Sequence, residues 1–125
     1  HHQGPVTDPD GDAVREALSV FASMAEQAAH AVTNGDHNLL GRAMNTAQSV
    51  YEQNLSERFS STRAPLLINI CAGLRKHGAL GAKFSGAGGD GSVIALFSDG
   101  RSASEALIWL QQSKLEAWSV PISNA

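Results

Sequence analysis

The stretch from Gly78 to Phe97, GALGAKFSGAGGDGSVIALF, changes character twice within twenty residues. Small residues first alternate with Leu80, Ala82 and Phe84, a half-buried strand pattern. Six loop residues follow, and then the β-branched and apolar run Val93-Ile94-Ala95-Leu96-Phe97. The reading is strand, turn, strand. Asp90-Gly91 is a favoured pair for the bend of such a hairpin.

Downstream, Asp99-Gly100 breaks the second strand, and Ser102 with Glu105 predicts a capping box for a helix carrying Ala106, Leu107, Trp109 and Leu110. From Glu116 to Ser123 the alternation of Trp118, Val120 and Ile122 predicts a last strand, which Pro121 directs to a sheet edge.

Upstream, Pro65 suits a first helical turn ahead of Leu67, Ile68, Cys71 and Leu74, in a helix ending near Gly78. Polar residues from Gln53 to Thr62 read as a connection. Before them, Asp36 can cap a helix whose apolar face is Leu40, Ala43, Met44, Ala47, Val50 and Tyr51. The first helix spans Asp12 to Val32, with Val14, Leu18, Phe21, Ala25, Ala28 and Val32 on one face and Gly35 as its stop.

The order is αααββαβ. Antiparallel strands with helices packed on one face of a small sheet make a two-layer α+β domain. One domain over residues 12–123 suits a chain of 125 residues that is 42% hydrophobic and 17% charged. Residues 1–11 are set apart as a leader, its His1-His2-Gln3-Gly4-Pro5 having the look of a purification-tag remnant.

A net charge of -3 offers no basic field for nucleic acid or an anionic membrane surface. The longest apolar runs fall far short of the roughly 20 residues a bilayer crossing needs. A lone cysteine, Cys71, makes no internal disulfide and fits a reducing, cytoplasmic setting. It lies on an apolar helical face without a CxxC signature and reads as a packed core thiol.

Gly86-Ala87-Gly88-Gly89-Asp90-Gly91 satisfies GxGxxG, a weak pattern until its flanks are considered. A dinucleotide fingerprint needs a helix after the glycines, whereas Ser92 to Phe97 is a strand sequence. A protein-kinase loop also matches through Val93, but no VAIK, HRD or DFG segment occurs, and no GK[ST] of a Walker loop. What remains is backbone chemistry. Four glycines in six residues permit positive φ and close approach, and successive free N–H groups can face an anion. A plain hairpin turn that binds nothing stays open beside that reading.

Gly78 to Leu96 resembles the third conserved motif of the GHMP kinases, the galactokinase, homoserine kinase, mevalonate kinase and phosphomevalonate kinase superfamily. Asn34 to Asn45, NGDHNLLGRAMN, is similar to that superfamily's helical segment GDxxxLGxLMN, most like its mevalonate kinase branch. The resemblance covers nearly everything from Asp12 to Ile122 and implies the ferredoxin-like C-terminal domain of these kinases.

It further implies ATP-dependent phosphorylation of a small-molecule substrate, mevalonate or a related isoprenoid precursor, with Mg²⁺ between enzyme and nucleotide. A sugar kinase of galactokinase or glucuronokinase kind, or a free-standing ligand-binding or dimerisation module, are the alternatives. The family's PxxxGLGSSAA motif is absent from this sequence, so an N-terminal kinase domain is the expected partner. This chain by itself is expected to be inactive. Carried over by position, Gly86, Ala87, Gly88, Gly89 and Gly91 would line the ATP and substrate cleft, with Lys83, Ser85 and Asp90 completing the cofactor-binding set; no residue here is assigned to catalysis or to a metal.

Many relatives carry glycine where this chain has Asp90, and a carboxylate there either points away from phosphate or meets a metal. Lys83 is equally a phosphate contact or an exposed strand lysine, and Ser85 offers a hydroxyl. His30, His37 and His77 lack ligand spacing and read as structural, while Trp109 and Trp118 are expected to close the sheet against its helix. A homodimer through the sheet edge is left open.

Overall fold

A computed structural model describes residues 8–59, 64–85, 91–117 and 119–120 of the chain. Helix α1 spans Pro9–Asn34, helix α2 His37–Tyr51, helix α3 Pro65–Lys76 and helix α4 Gly100–Gln112; strands β1, Gly81–Phe84, and β2, Val93–Leu96, lie between α3 and α4. The strands pair antiparallel with Gly81 opposite Leu96 and Phe84 opposite Val93. The fold is α+β, as the pattern of the sequence predicts, with the helices and the hairpin in the expected order.

Helix α1 begins at Pro9 rather than Asp12, because the Asp8 carboxylate accepts a hydrogen bond from the Gly11 N–H at 3.0 Å and proline suits the first helical position. Gly35 ends it as expected, in the left-handed region at φ 67°. The buried face is a correction. Ala13, Ala17 and Ala31 are inside, while Leu18 and Val32 are 59% and 64% exposed. The alanine row is displaced by one residue, about 100° around the helix, from the row of larger residues. α1 lies against α2, and Phe21 of the expected row is half-buried against the core.

Helix α2 starts where Asp36 accepts from the Leu39 N–H at 3.0 Å. Ala43, Met44, Ala47 and Tyr51 are buried as the spacing predicts, joined by Gly41 and by Gln48, a polar residue. The expected polar connection begins differently: Glu52–Ser56 prolongs α2 as a π-helical turn. Asn54 there donates to the Ala13 carbonyl at 3.0 Å and ties the turn to α1. The rest of that connection, residues 60–63, lies outside the described residues.

Helices α3 and α4 cover one face of the hairpin. Tyr51, Leu67, Cys71, Leu74, Ala82, Phe84 and Ala106 form the core, and the Tyr51 and Phe84 rings meet edge to face at 5.0 Å. Burial of Phe84 alone is worth about 1.5–3 kcal/mol. Trp109 covers Gly73 of α3 and stacks on His77 with ring centroids 4.6 Å apart. It thus joins α4 to α3 and packs against the core that includes Ala82 and Phe84 of the sheet.

Two expectations downstream of the hairpin are revised. The cap of α4 is Asp99, whose extended backbone turns its carboxylate onto the Ser102 N–H at 2.8 Å. Ser102 is therefore inside the first turn, and the capping box with Glu105 is not formed. In the segment predicted as a last strand, Glu116, Ala117, Ser119 and Val120 are irregular and Val120 is 71% exposed. Among the described residues the sheet has two strands, β1 and β2, paired with each other. Trp118 and residues 121–123 lie outside the described residues.

Candidate functional site

The hairpin that bears the glycine turn is held on one side by helix α2, and that contact begins with two glycines. A Cβ on Gly41 would stand 2.5 Å from the Leu80 carbonyl oxygen, and one on Gly81 would stand 2.5 Å from the Gly41 carbonyl oxygen. Backbone meets backbone, so neither position has room for a side chain. From that contact α2 runs alongside β1 toward the turn.

Alternation in an antiparallel pair turns every second amide of β1 away from β2. Ala82 and Phe84 are the outward ones. Asn45 accepts from the Ala82 N–H at 3.0 Å and donates to the Leu80 carbonyl at 3.1 Å, as a neighbouring strand would. Gln48 accepts from the Phe84 N–H at 2.9 Å, and its own amide donates to the Glu52 carboxylate at 3.0 Å. Arg75 of α3 donates to the Ala82 carbonyl at 3.2 Å. Side chains therefore close the outer edge of β1 along its length.

The turn itself departs from the strand ends. Ser85 N–H donates to the Ser92 carbonyl at 3.1 Å and carries the hairpin one pair beyond Phe84. Gly91 has φ 80°, the left-handed conformation that glycine adopts without strain, and a Cβ there would meet nothing within 4 Å. Lys83 is half-buried on the strand, with its ammonium donating to the Phe84 carbonyl at 2.8 Å. An ammonium has three donors. The other two have no acceptor among the described residues. Lys83 pairs across the sheet with Ile94, so both lie on the face opposite Ala82 and Phe84. Gly86, Ala87, Gly88, Gly89 and Asp90 lie outside the described residues.

Of the sequence-derived candidates, Lys83, Ser85 and Gly91 are brought together at the hairpin end. The amides Asn45 and Gln48 and the guanidinium of Arg75 were not among those candidates. Their signal was present in part: Gln48 sits at helical spacing from Met44 and Tyr51, inside an apolar face. Burial pushes the Cys71 thiol up to about 11, more than the neighbouring Arg75 lowers it, so the thiol is protonated and unreactive near neutral pH. Among the described residues no His, Cys, Asp and Glu group could hold a metal ion. His30 instead meets Asn34 one turn on.

Two shallow cavities flank α2 and α3: about 310 Å³ lined by Glu52, Ser56, Glu57, Ala64, Pro65 and Ile68, and about 270 Å³ lined by Asn45, Ser49, Glu52 and Arg75. Neither includes Lys83, Ser85 or Gly91.

Residues 25–108 match the family described as GHMP kinases C terminal. The chain is also 33% identical over 123 residues to the mevalonate kinase of Aeropyrum pernix, covering 98% of this chain and 36% of that protein. It thus spans about a third of the length of the curated relative it matches. No solved structure matches it.

Proposed function

From its membership of the GHMP kinase C-terminal family, we propose that the chain is the C-terminal part of an ATP-dependent small-molecule kinase whose substrate is mevalonate or a related isoprenoid precursor. The observation that carries the proposal is the hairpin, with the Lys83 cation near the end of its first strand, in a chain that aligns almost end to end with part of a mevalonate kinase. No helix among the described residues is long and apolar enough to cross a membrane. A cytoplasmic enzyme suits this reading.

ATP would supply the transferred phosphoryl group, with Mg²⁺ neutralising its phosphates. Two features of the chain fit such a group. The backbone at Gly91 is open to close approach, and Lys83 holds a positive charge beside the turn. Gly86, Ala87, Gly88, Gly89 and Gly91 would line the cleft, Lys83 would attract phosphate oxygens, and the Ser85 hydroxyl would orient substrate or nucleotide by a hydrogen bond. Asp90 would face away from phosphate or toward the metal ion.

Phosphoryl transfer depends on positioning and charge neutralisation from several directions at once, so one wall of the cleft supplies contacts without turnover. An N-terminal kinase domain would complete the site. Incubating the full-length protein with ATP and, in turn, mevalonate, phosphomevalonate and free sugars tests the proposal. Phosphorylation of mevalonate or phosphomevalonate is expected. Transfer to a sugar alone would reassign the substrate class, and transfer to none would sink the kinase reading.

A further inference from the structure

We infer that Gln48 is a positioning residue for the end of β1, fixing where the strand delivers Lys83 and Ser85 to the cleft; for its kinetic consequence this rests on the kinase reading. Gln48 is 2% exposed, the most enclosed polar side chain of the described core. Both ends of its amide are engaged: the oxygen accepts from the Phe84 N–H at 2.9 Å, and the nitrogen donates to Glu52 at 3.0 Å. A side chain held at both ends cannot rotate to follow a drifting strand. Phe84 is the last residue of β1 and its N–H is the last outward amide before the turn.

The chain of contact therefore runs from Glu52 through Gln48 to Phe84, and covalently on to Ser85. Asn45 provides the comparison within the same helix. It holds Leu80 and Ala82, at the opposite end of β1 from the turn. A displacement of about 1 Å at a phosphoryl-transfer site is enough to cost a large factor in rate.

The test uses the full-length protein with four changes: Gln48→Leu, Gln48→Glu, the pair Gln48→Glu with Glu52→Gln, and Asn45→Ala. In the pair the roles are exchanged, glutamine at 52 donating to a carboxylate at 48 that still accepts from Phe84. Gln48→Leu and Gln48→Glu are expected to raise the KM for ATP about fivefold or more. The paired change is expected to bring it back within about twofold, and Asn45→Ala to move it far less than Gln48→Leu. Amide hydrogen exchange at Phe84 and Ser85 is expected to quicken about tenfold in Gln48→Leu and to recover in the pair.

Exchange needs no substrate, so it decides the positioning role even if no kinase substrate is found. Unaltered exchange at Phe84 and Ser85 in Gln48→Leu would overturn the inference. An equal rise in KM from Asn45→Ala would also overturn it, by making the effect one of general stability. Absence of ATP-dependent transfer in the unsubstituted protein would count against the kinase reading alone.

Discussion

The two outer edges of the hairpin are finished differently. β1 presents its outward groups to α2 and α3, where Asn45, Gln48 and Arg75 satisfy them. On β2 the outward amides are those of Val93 and Ala95, and neither has a partner among the described residues. Ile94 between them is 49% exposed. A helix that carries amides at the right spacing can thus do the work of a neighbouring strand. The sheet is closed at β1, and any further strand has only the β2 edge to join. A bare edge is a pairing template, and native proteins seldom leave one long and uncovered.

The contrast can be broken most severely at the glycine contact. Gly81→Val should destabilise the chain by about 3 kcal/mol or more in urea unfolding, since the new atoms overlap the backbone of α2 and no side chain can move aside. A loss below about 1 kcal/mol would mean that α2 is not seated on β1. Gln48→Leu should cost about 1–3 kcal/mol by leaving the Phe84 N–H buried and unpaired. If it proved neutral, water would be reaching that edge.

Smaller effects lie on the β2 side. Asp99 is exposed, and the Ser102 backbone N–H holds its carboxyl below the usual carboxylate range. A depressed folded value contributes stability above the unfolded pKa, near 3.9, that is lost as pH falls through the folded value. Acid should therefore loosen the first turn of α4, followed by hydrogen exchange at Ser102, and Asp99→Asn should flatten that dependence. The smallest effect is expected at Ile94→Lys, within about 0.5 kcal/mol in the 125-residue chain, because the side chain is already half in water. A clearly larger cost in the full-length protein would show that the open face of the hairpin at Ile94 is covered there.

Elements bounded by local chemistry were legible. Gly35 and Asp36 mark the joint between α1 and α2 because one adopts positive φ and the other offers a carboxylate to a free N–H. Pro65 marks α3, and the Val93 run marks β2. The cap of α4 was misassigned because Asp99 and Ser102 are both good capping residues three apart, and only the backbone angles at Asp99 decide between them. The face of α1 was legible in part: Val14, Phe21 and Ala28 are half-buried as their spacing predicts, whereas the fully buried positions include the alanines one residue before Val14, Leu18 and Val32. Leu18 and Val32 are larger than Ala17 and Ala31, yet they are exposed and the alanines are buried. At the candidate site, Lys83, Ser85 and Gly91 could be named as candidates from residue type, whereas the support beneath them required knowing which helix lies along β1.

The glycine-rich hairpin, the helices around it and the kinship to the GHMP kinases were determined by the sequence itself, because turn, cap and strand preferences act over a few residues. Only the tertiary structure decided that α2 closes β1 with two amides and a pair of glycines. That contact joins residues some 40 positions apart, and hydrogen-bond geometry between elements leaves no local period to read.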